Sequence, residues 1–290
     1  MKRLWTPDGD AYTEYISADR FVKQRRAKCF SSIPGHAILV KNSSPKFIRM
    51  QNTTKLFNLF KQFAYGQNYA IAFTEALDYF LIPFKIYENQ EQREGGFSTL
   101  TTHPKKDLLA PFFMEIGELS EGFHDPLGTL YELLVSKGQH GQFFTPEPIV
   151  EFMAMSVNIA GLEPGKTVYD PACGSGRMLV TAAKVNRNLC FYGADIDAIC
   201  CKMALVNFML QSLTGEIAHM DTLANDFYRG YNIGTILKDG YHYPFYEEFT
   251  DPMKSRIWLR PGESKSKQGF TNPFDPPKSQ STNGVQGTLF

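Results

Sequence analysis

The residues best suited to chemistry are Asp170-Pro171-Ala172-Cys173-Gly174-Ser175-Gly176. Val168-Tyr169 precede them and an apolar-periodic stretch, Met178 to Val185, follows, so the pattern predicts strand, tight glycine turn and helix. Two glycines let the backbone approach a ligand with no Cβ in the way. A second strand candidate, Cys190 to Ala194, ends in Asp195, 19 residues after Gly176. In a doubly wound sheet, an acid there can accept both hydroxyls of a ribose. The third glycine of a dinucleotide fingerprint is replaced by Leu179, which argues against NAD and its pyrophosphate. A Gly-x-Gly pair by itself is more often an ordinary turn, so the reading depends on the surrounding elements.

Those elements follow a legible order. A helix is expected from Asp197 to about Ser212, with Ile199, Met203, Val206, Met209 and Leu210 on its buried side. Glu216 to His219 reads as a third strand ending at Asp221-Thr222-Leu223. Upstream, residues 161–166 form a turn into the first strand, and a helix begins at Glu147 after Thr145-Pro146, where proline keeps Thr145 extended. An N-cap role for Thr145 is the bland alternative. Residues 107–119 and 126–136 look helical, with Asp125 as N-cap and Pro126 at the first helical position. From Thr54 to about Tyr79 apolar residues recur at helical spacing, and Gly66 and Asn68 divide the stretch into two helices. Residues 88–106, containing Gly95-Gly96 and His103-Pro104, read as a loop or linker. Ala37 to Val40 suggests a short strand, and Asn42 to Pro45 a turn.

The net charge of zero conceals an asymmetry. Residues 1–61 hold 12 Lys or Arg against 4 Asp or Glu, whereas residues 62–165 hold 5 against 14. The basic start, with Arg20, Lys23, Arg25, Arg26 and Lys28, could meet a phosphate backbone or pack against the acidic middle. No apolar run is long enough to span a bilayer, and the N-terminus lacks the apolar stretch of a signal peptide, so a cytoplasmic protein is expected. The five cysteines form no Cys-x-x-Cys pair and read as reduced thiols, with no zinc site and no other metal expected.

Taken together, the chain resembles the S-adenosylmethionine-dependent DNA adenine-N6 methyltransferases, in particular the methylation subunits of type I restriction-modification systems. The resemblance is carried in order by Asp125-Pro126-Leu127-Gly128, Leu130 to Leu134, Gly141-Gln142-Phe143-Phe144-Thr145-Pro146, Asp170 to Gly176, Gly193 to Asp197 and Asp221-Thr222-Leu223. It implies an α/β fold with a Rossmann-like methyltransferase sheet, shortened after its third strand. A mainly helical region, residues 1–124, precedes a cofactor domain, 125–250, and a low-complexity, flexible tail, 251–290.

It also implies S-adenosylmethionine as cofactor. The implied contacts are Phe143, Thr145 and Pro146 beside the methionine end, and Asp170 with Pro171, Ala172, Cys173, Gly174 and Gly176 around its ammonium and carboxylate. Asp195 and Ile196 would hold the ribose, and Asp221 and Thr222 the adenine. Cys173 reads as a packed small residue rather than a nucleophile. DNA is the implied partner, with a separate specificity subunit to read it.

The family's Asn/Asp-Pro-Pro-aromatic motif, which grips the flipped adenine, is not in its expected place, so no catalytic residue is assigned. Tyr243-Pro244-Phe245-Tyr246 could be a degenerate version, and the nearest literal match, Asp275-Pro276-Pro277-Lys278, has lysine for the aromatic. Three readings therefore stay open: an adenine-N6 methyltransferase, alone or with a partner chain; a cofactor-binding subunit that performs no methylation, with a regulatory or assembly role; and a relic in which the strand-turn-helix only packs.

Overall fold

The computed structural model describes residues 45–136, 144–238 and 241–260. The expected basic cluster, the Ala37–Val40 strand, Phe143 and the Asp275 motif lie outside them. Four helices come first: α1 (Pro45–Phe63), α2 (Tyr69–Leu81), α3 (Gln90–Thr102) and α4 (Lys106–Leu119). The break between α1 and α2 falls where the sequence puts it. Gly66 takes a positive φ, and the Asn68 side chain caps α2 by accepting from the Ala70 and Ile71 amides. The aromatic stripe is core: Phe60, Phe63, Phe73 and Phe112 are fully buried.

Helix α3 corrects the expected linker over 88–106. Asn89 accepts from the Gln92 amide and starts the helix. Its glycine pair is tolerated because Gly96 lies under the Tyr87 ring, where a Cβ would come within 2.6 Å of the phenolic oxygen. Tertiary packing outweighs the weak propensity of Gly95-Gly96. The short α5 (Pro126–Leu130) begins at Asp125 as expected and runs into a π-helical turn, Tyr131–Ser136.

The sheet begins after α6 (Glu147–Ser156). Strand β1 (Thr167–Asp170), helix α7 (Arg177–Val185), strand β2 (Cys190–Asp195), helix α8 (Ala198–Gln211) and strand β3 (Gly215–Asp221) alternate, and the three strands are parallel. This is the βαβαβ unit expected from the sequence. Helix α8 is almost wholly buried and forms the centre of the core shared by the sheet and the first helices.

After β3 the chain departs from a simple shortening. Strands β4 (Asp226–Lys238) and β5 (Tyr241–Phe249) form an antiparallel hairpin, and β4 pairs antiparallel with β3. The sheet order is β1-β2-β3-β4-β5, so all growth occurs at the β3 side. Alternating aromatic and β-branched residues (Tyr231, Ile233, Tyr246) bury one face of the hairpin in the main core.

Residues 251–258, expected to begin a tail, instead fold back over the other sheet face. Ile257 and Trp258 cover Ala194, Ala218 and Met220. The buried Glu216 carboxylate accepts from the Ser255 hydroxyl and the Arg256 amide.

One polar cluster ties the helical part to the hairpin. Lys85 and Arg229 both pair with Glu248, and the Ile86 amide donates to the Tyr246 carbonyl. Burial pushes the Glu248 carboxyl up, but the Lys85 and Arg229 cations outweigh it and hold the group below its ordinary value. Its contribution is therefore present above the ordinary carboxylate range and disappears as pH falls through the lowered pKa. The Glu248→Gln variant is expected to lose stability at neutral pH and to show a flatter acid limb in urea denaturation measured against pH.

Candidate functional site

Asp170, Asp195 and Asp221 end β1, β2 and β3, three neighbouring parallel strands, and so stand side by side at one edge of the sheet. In open α/β sheets this is where ligands bind, outside the carboxyl ends of the strands. The glycine turn fills the space between the first two. Gly174 and Gly176 both have positive φ, 54° and 78°, which L side chains rarely adopt. A Cβ on Gly174 would lie 2.6 Å from the Phe144 ring.

The acids first hold their own loops. Asp170 Oδ1 accepts from the Ala172 amide at 3.1 Å, and Asp221 Oδ1 accepts from the Leu223 and Ala224 amides. Each keeps Oδ2 without a protein donor among the described residues. Asp195 is more committed: Oδ2 accepts from the Gly174 amide at 2.8 Å and Oδ1 from the Asp197 amide at 2.9 Å. It joins the end of β2 to the glycine turn, a structural role that the sequence reading did not anticipate.

Burial raises the pKa of Asp170, with Asp195 adding to the shift and the Ala172 amide opposing it. Burial also raises Asp195, and the Asp197 and Gly174 amides oppose it. Two half-buried carboxyls of this kind suit a cationic ligand, which would lower both.

Other expected residues join the same edge. The Thr222 hydroxyl donates to the Pro171 carbonyl at 3.1 Å, connecting the β3 loop to the β1 turn. Pro171 and Ala172 are exposed, as are Ile196 and Leu223, which offer apolar surface beside the acids. Cys173 is buried, and burial, then the nearby Cys201 and Asp195, push its thiol well above the ordinary value. It is held protonated and packed, as the sequence reading preferred.

The turn rests on a buried polar hub. Asp125 accepts from the Gly128 amide, the Ser175 hydroxyl, Arg177 Nε and Asn207 Nδ2. Arg177 then donates to the Thr145 carbonyl at 3.1 Å, pairs with Glu132 and lies over the Phe144 ring. The Glu132 carboxylate accepts from the Phe144 amide. The hub thus ties α5, the Phe144-Thr145 segment, the glycine turn and α8 together. The sequence showed Asp125 only as a helix cap and did not reveal this centre, because its partners are spread over residues 128–207.

Two expectations at the start of α6 and α7 need correction. Thr145 does not cap α6, since Pro146 occupies that position without a side-chain cap. The turn amides expected to receive a carboxylate are partly engaged already: Ala172 donates to Asp170, Gly174 to Asp195 and Gly176 to the Cys173 carbonyl.

The Tyr243-Pro244-Phe245-Tyr246 segment is also misplaced for a clamp. It lies within β5, with Tyr246 opposite Ile233 and Ile233 opposite Gly215. It is therefore level with the start of β3, at the opposite end of the sheet from Asp221. Pro244 and Tyr246 are buried there, and the Phe245 ring covers Gly234.

Comparison with known proteins agrees with this architecture. The family described as N-6 DNA Methylase matches residues 123–239. Over that segment the chain is similar to the N-6 DNA methylase family. A type I restriction enzyme MpnII methylase subunit from Mycoplasma pneumoniae is 28% identical over 198 residues, covering 63% of this chain and 35% of its own. The MjaVII methylase subunit from Methanocaldococcus jannaschii is 29% identical over 109 residues, covering 34% of this chain and 18% of its own. The chain thus spans about a third or less of the length of these curated relatives. A ribosomal protein L11 methyltransferase from Caldanaerobacter subterraneus is 39% identical over 65 residues, 22% of this chain and 21% of its own.

Proposed function

We propose that the chain binds S-adenosylmethionine across the carboxyl ends of β1, β2 and β3, as the cofactor half of a DNA adenine-N6 methyltransferase. The observation that carries this reading is the row of Asp170, Asp195 and Asp221 around a positive-φ glycine turn. The residue set fits the ligand. Asp170 Oδ2 is free to accept from an ammonium, and each Asp195 oxygen keeps a lone pair for a ribose hydroxyl. Asp221 Oδ2 can accept from an adenine amino group between the exposed Ile196 and Leu223. No pyrophosphate needs a cradle, so the missing third glycine is no obstacle. The bound cofactor would supply an electrophilic methyl group. The protein's share is to orient it and to attract its positive charge with the two carboxyls.

The resemblance supports adenine N6 in DNA as the acceptor, with a specificity subunit reading the sequence. A second reading, a cofactor-binding subunit that transfers no methyl group, is favoured by one observation. The aromatic Tyr243–Tyr246 segment is at the wrong end of the sheet to grip a base.

Isothermal titration with S-adenosylmethionine tests the first step. The Asp195→Ala variant is expected to bind at least tenfold more weakly, because it loses both the ribose acceptor and the anchor of the Gly174 amide. Affinity in the parent chain is expected to fall as pH drops through the raised pKa values of Asp170 and Asp195, since protonated carboxyls no longer attract a cation. Equal binding by parent and variant would remove Asp195 from the site. Labelled methyl transfer to unmethylated DNA then separates the two readings.

A further inference from the structure

Among the described residues the sheet is unfinished on one side. Strand β1 is its edge, and no described residue pairs with its outer side. The Cys190 amide donates to the Lys166 carbonyl, and Thr167 is paired in register with Cys190. By the alternation of a parallel ladder, Val168 and Asp170 direct their backbone groups to β2, while Thr167 and Tyr169 direct theirs outward. Parallel strands are ordinarily buried, so this edge is unusual.

The helices show a matching gap. They follow the strands in order: α8 crosses from β2 to β3, α7 crosses from β1 to β2 and packs on β1, and α6 packs on α7. Val150 and Ala154 bury the inner side of α6. Its other side presents Ile149, Phe152, Met153 and Met155, exposed by 50%, 70%, 41% and 73%. A contiguous apolar helix face beside an unpaired strand marks a docking surface.

We propose that a second copy of this chain occupies this surface, with the two β1 strands pairing antiparallel about a two-fold axis through Val168. The edge is self-complementary in that register. Thr167 faces the partner's Tyr169, and each exchanges its N–H and C=O with the other. The same register sets Lys166 against the partner's Asp170, opposite charges on the same sheet face. The two α6 helices lie on one face of the joined sheet and cover each other's apolar side chains. Each subunit thereby places a lysine beside the strand-end acid of the other, where it would compete with a cofactor ammonium for Asp170 Oδ2. This last consequence rests on the proposed cofactor site, but the dimer does not.

Sedimentation equilibrium of the purified chain tests the proposal independently of any cofactor. A dimer is expected. Each substitution counts twice in a two-fold interface, so Phe152→Asp and Lys166→Glu are each expected to weaken association about tenfold or more. The double variant Lys166→Glu/Asp170→Lys is expected to recover dimerisation relative to Lys166→Glu. Both altered positions in the single variants are exposed, and circular dichroism checks that folding is retained. Hydrogen exchange should show protection of the Thr167 and Tyr169 amides that grows with protein concentration. A chain that stays monomeric to its solubility limit overturns the proposal. So does a dimer unaffected by Phe152→Asp and Lys166→Glu, or protection that is independent of concentration, which would mean that the chain covers its own edge.

Discussion

Replacing Asp125 with alanine is expected to destabilise the fold by about 3–5 kcal/mol, the range for breaking a buried pair and leaving a charge uncompensated. The side chain is 1% exposed and receives hydrogen bonds from Gly128, Ser175, Arg177 and Asn207. Its removal strands the Arg177 guanidinium, itself only 10% exposed, with Glu132 as its remaining acidic partner. The loss is therefore larger than the roughly 1 kcal/mol of an ordinary helix N-cap. Asp125→Asn keeps the Oδ1 acceptor and is expected to cost less, since one side of the hub survives. Urea denaturation of the parent and both variants measures the difference. Equal midpoints for parent and Asp125→Ala would show that the hub carries little of the fold. Because the hub also fixes the turn, any surviving Asp125→Ala protein should bind cofactor weakly.

The second large effect is expected at Gly174. Valine there must adopt a φ of 54°, a region that β-branched residues strongly avoid, and its Cβ would overlap the Phe144 ring at 2.6 Å. The ring cannot simply step aside, because it lies under the Arg177 guanidinium and packs near Tyr131. The turn must change shape, which breaks the Gly174 amide bond to Asp195. Gly174→Val is expected to abolish detectable S-adenosylmethionine binding in titration calorimetry while leaving the helical circular dichroism signal largely intact. Binding within threefold of the parent would mean that the turn is not part of the ligand site. The two substitutions separate roles: Asp125 acts on stability first, whereas Gly174 acts on the site first.

Much of this protein follows from its sequence alone. The turn at Asp170–Gly176, the acids at Asp195 and Asp221 and the strand–helix alternation between them are local patterns. A strand end, a positive-φ glycine and an amphipathic helix each write their requirements into neighbouring residues, and the structure places them as read. The same holds for the helix break at Gly66 and Asn68, the Asp125 cap and the aromatic stripe of α1 and α2.

Other features required the tertiary structure. The hairpin β4–β5 could have flanked β1 or β3, because its alternation specifies a strand but not a neighbour, and burial of Tyr231, Ile233 and Tyr246 in the main core set it at β3. That choice left the outer side of β1 unpaired among the described residues and carried Tyr243–Tyr246 away from the acids. Helix α3 formed across a glycine pair because Tyr87 packs on Gly96. The bond from Gly174 to Asp195 and those from Ser175, Arg177 and Asn207 to Asp125 join residues 21 to 82 positions apart, and such contacts leave no local trace in a sequence. Short-range rules therefore fixed the type of most elements and the location of the candidate site, while long-range packing decided where the hairpin joined the sheet and that α3 is a helix.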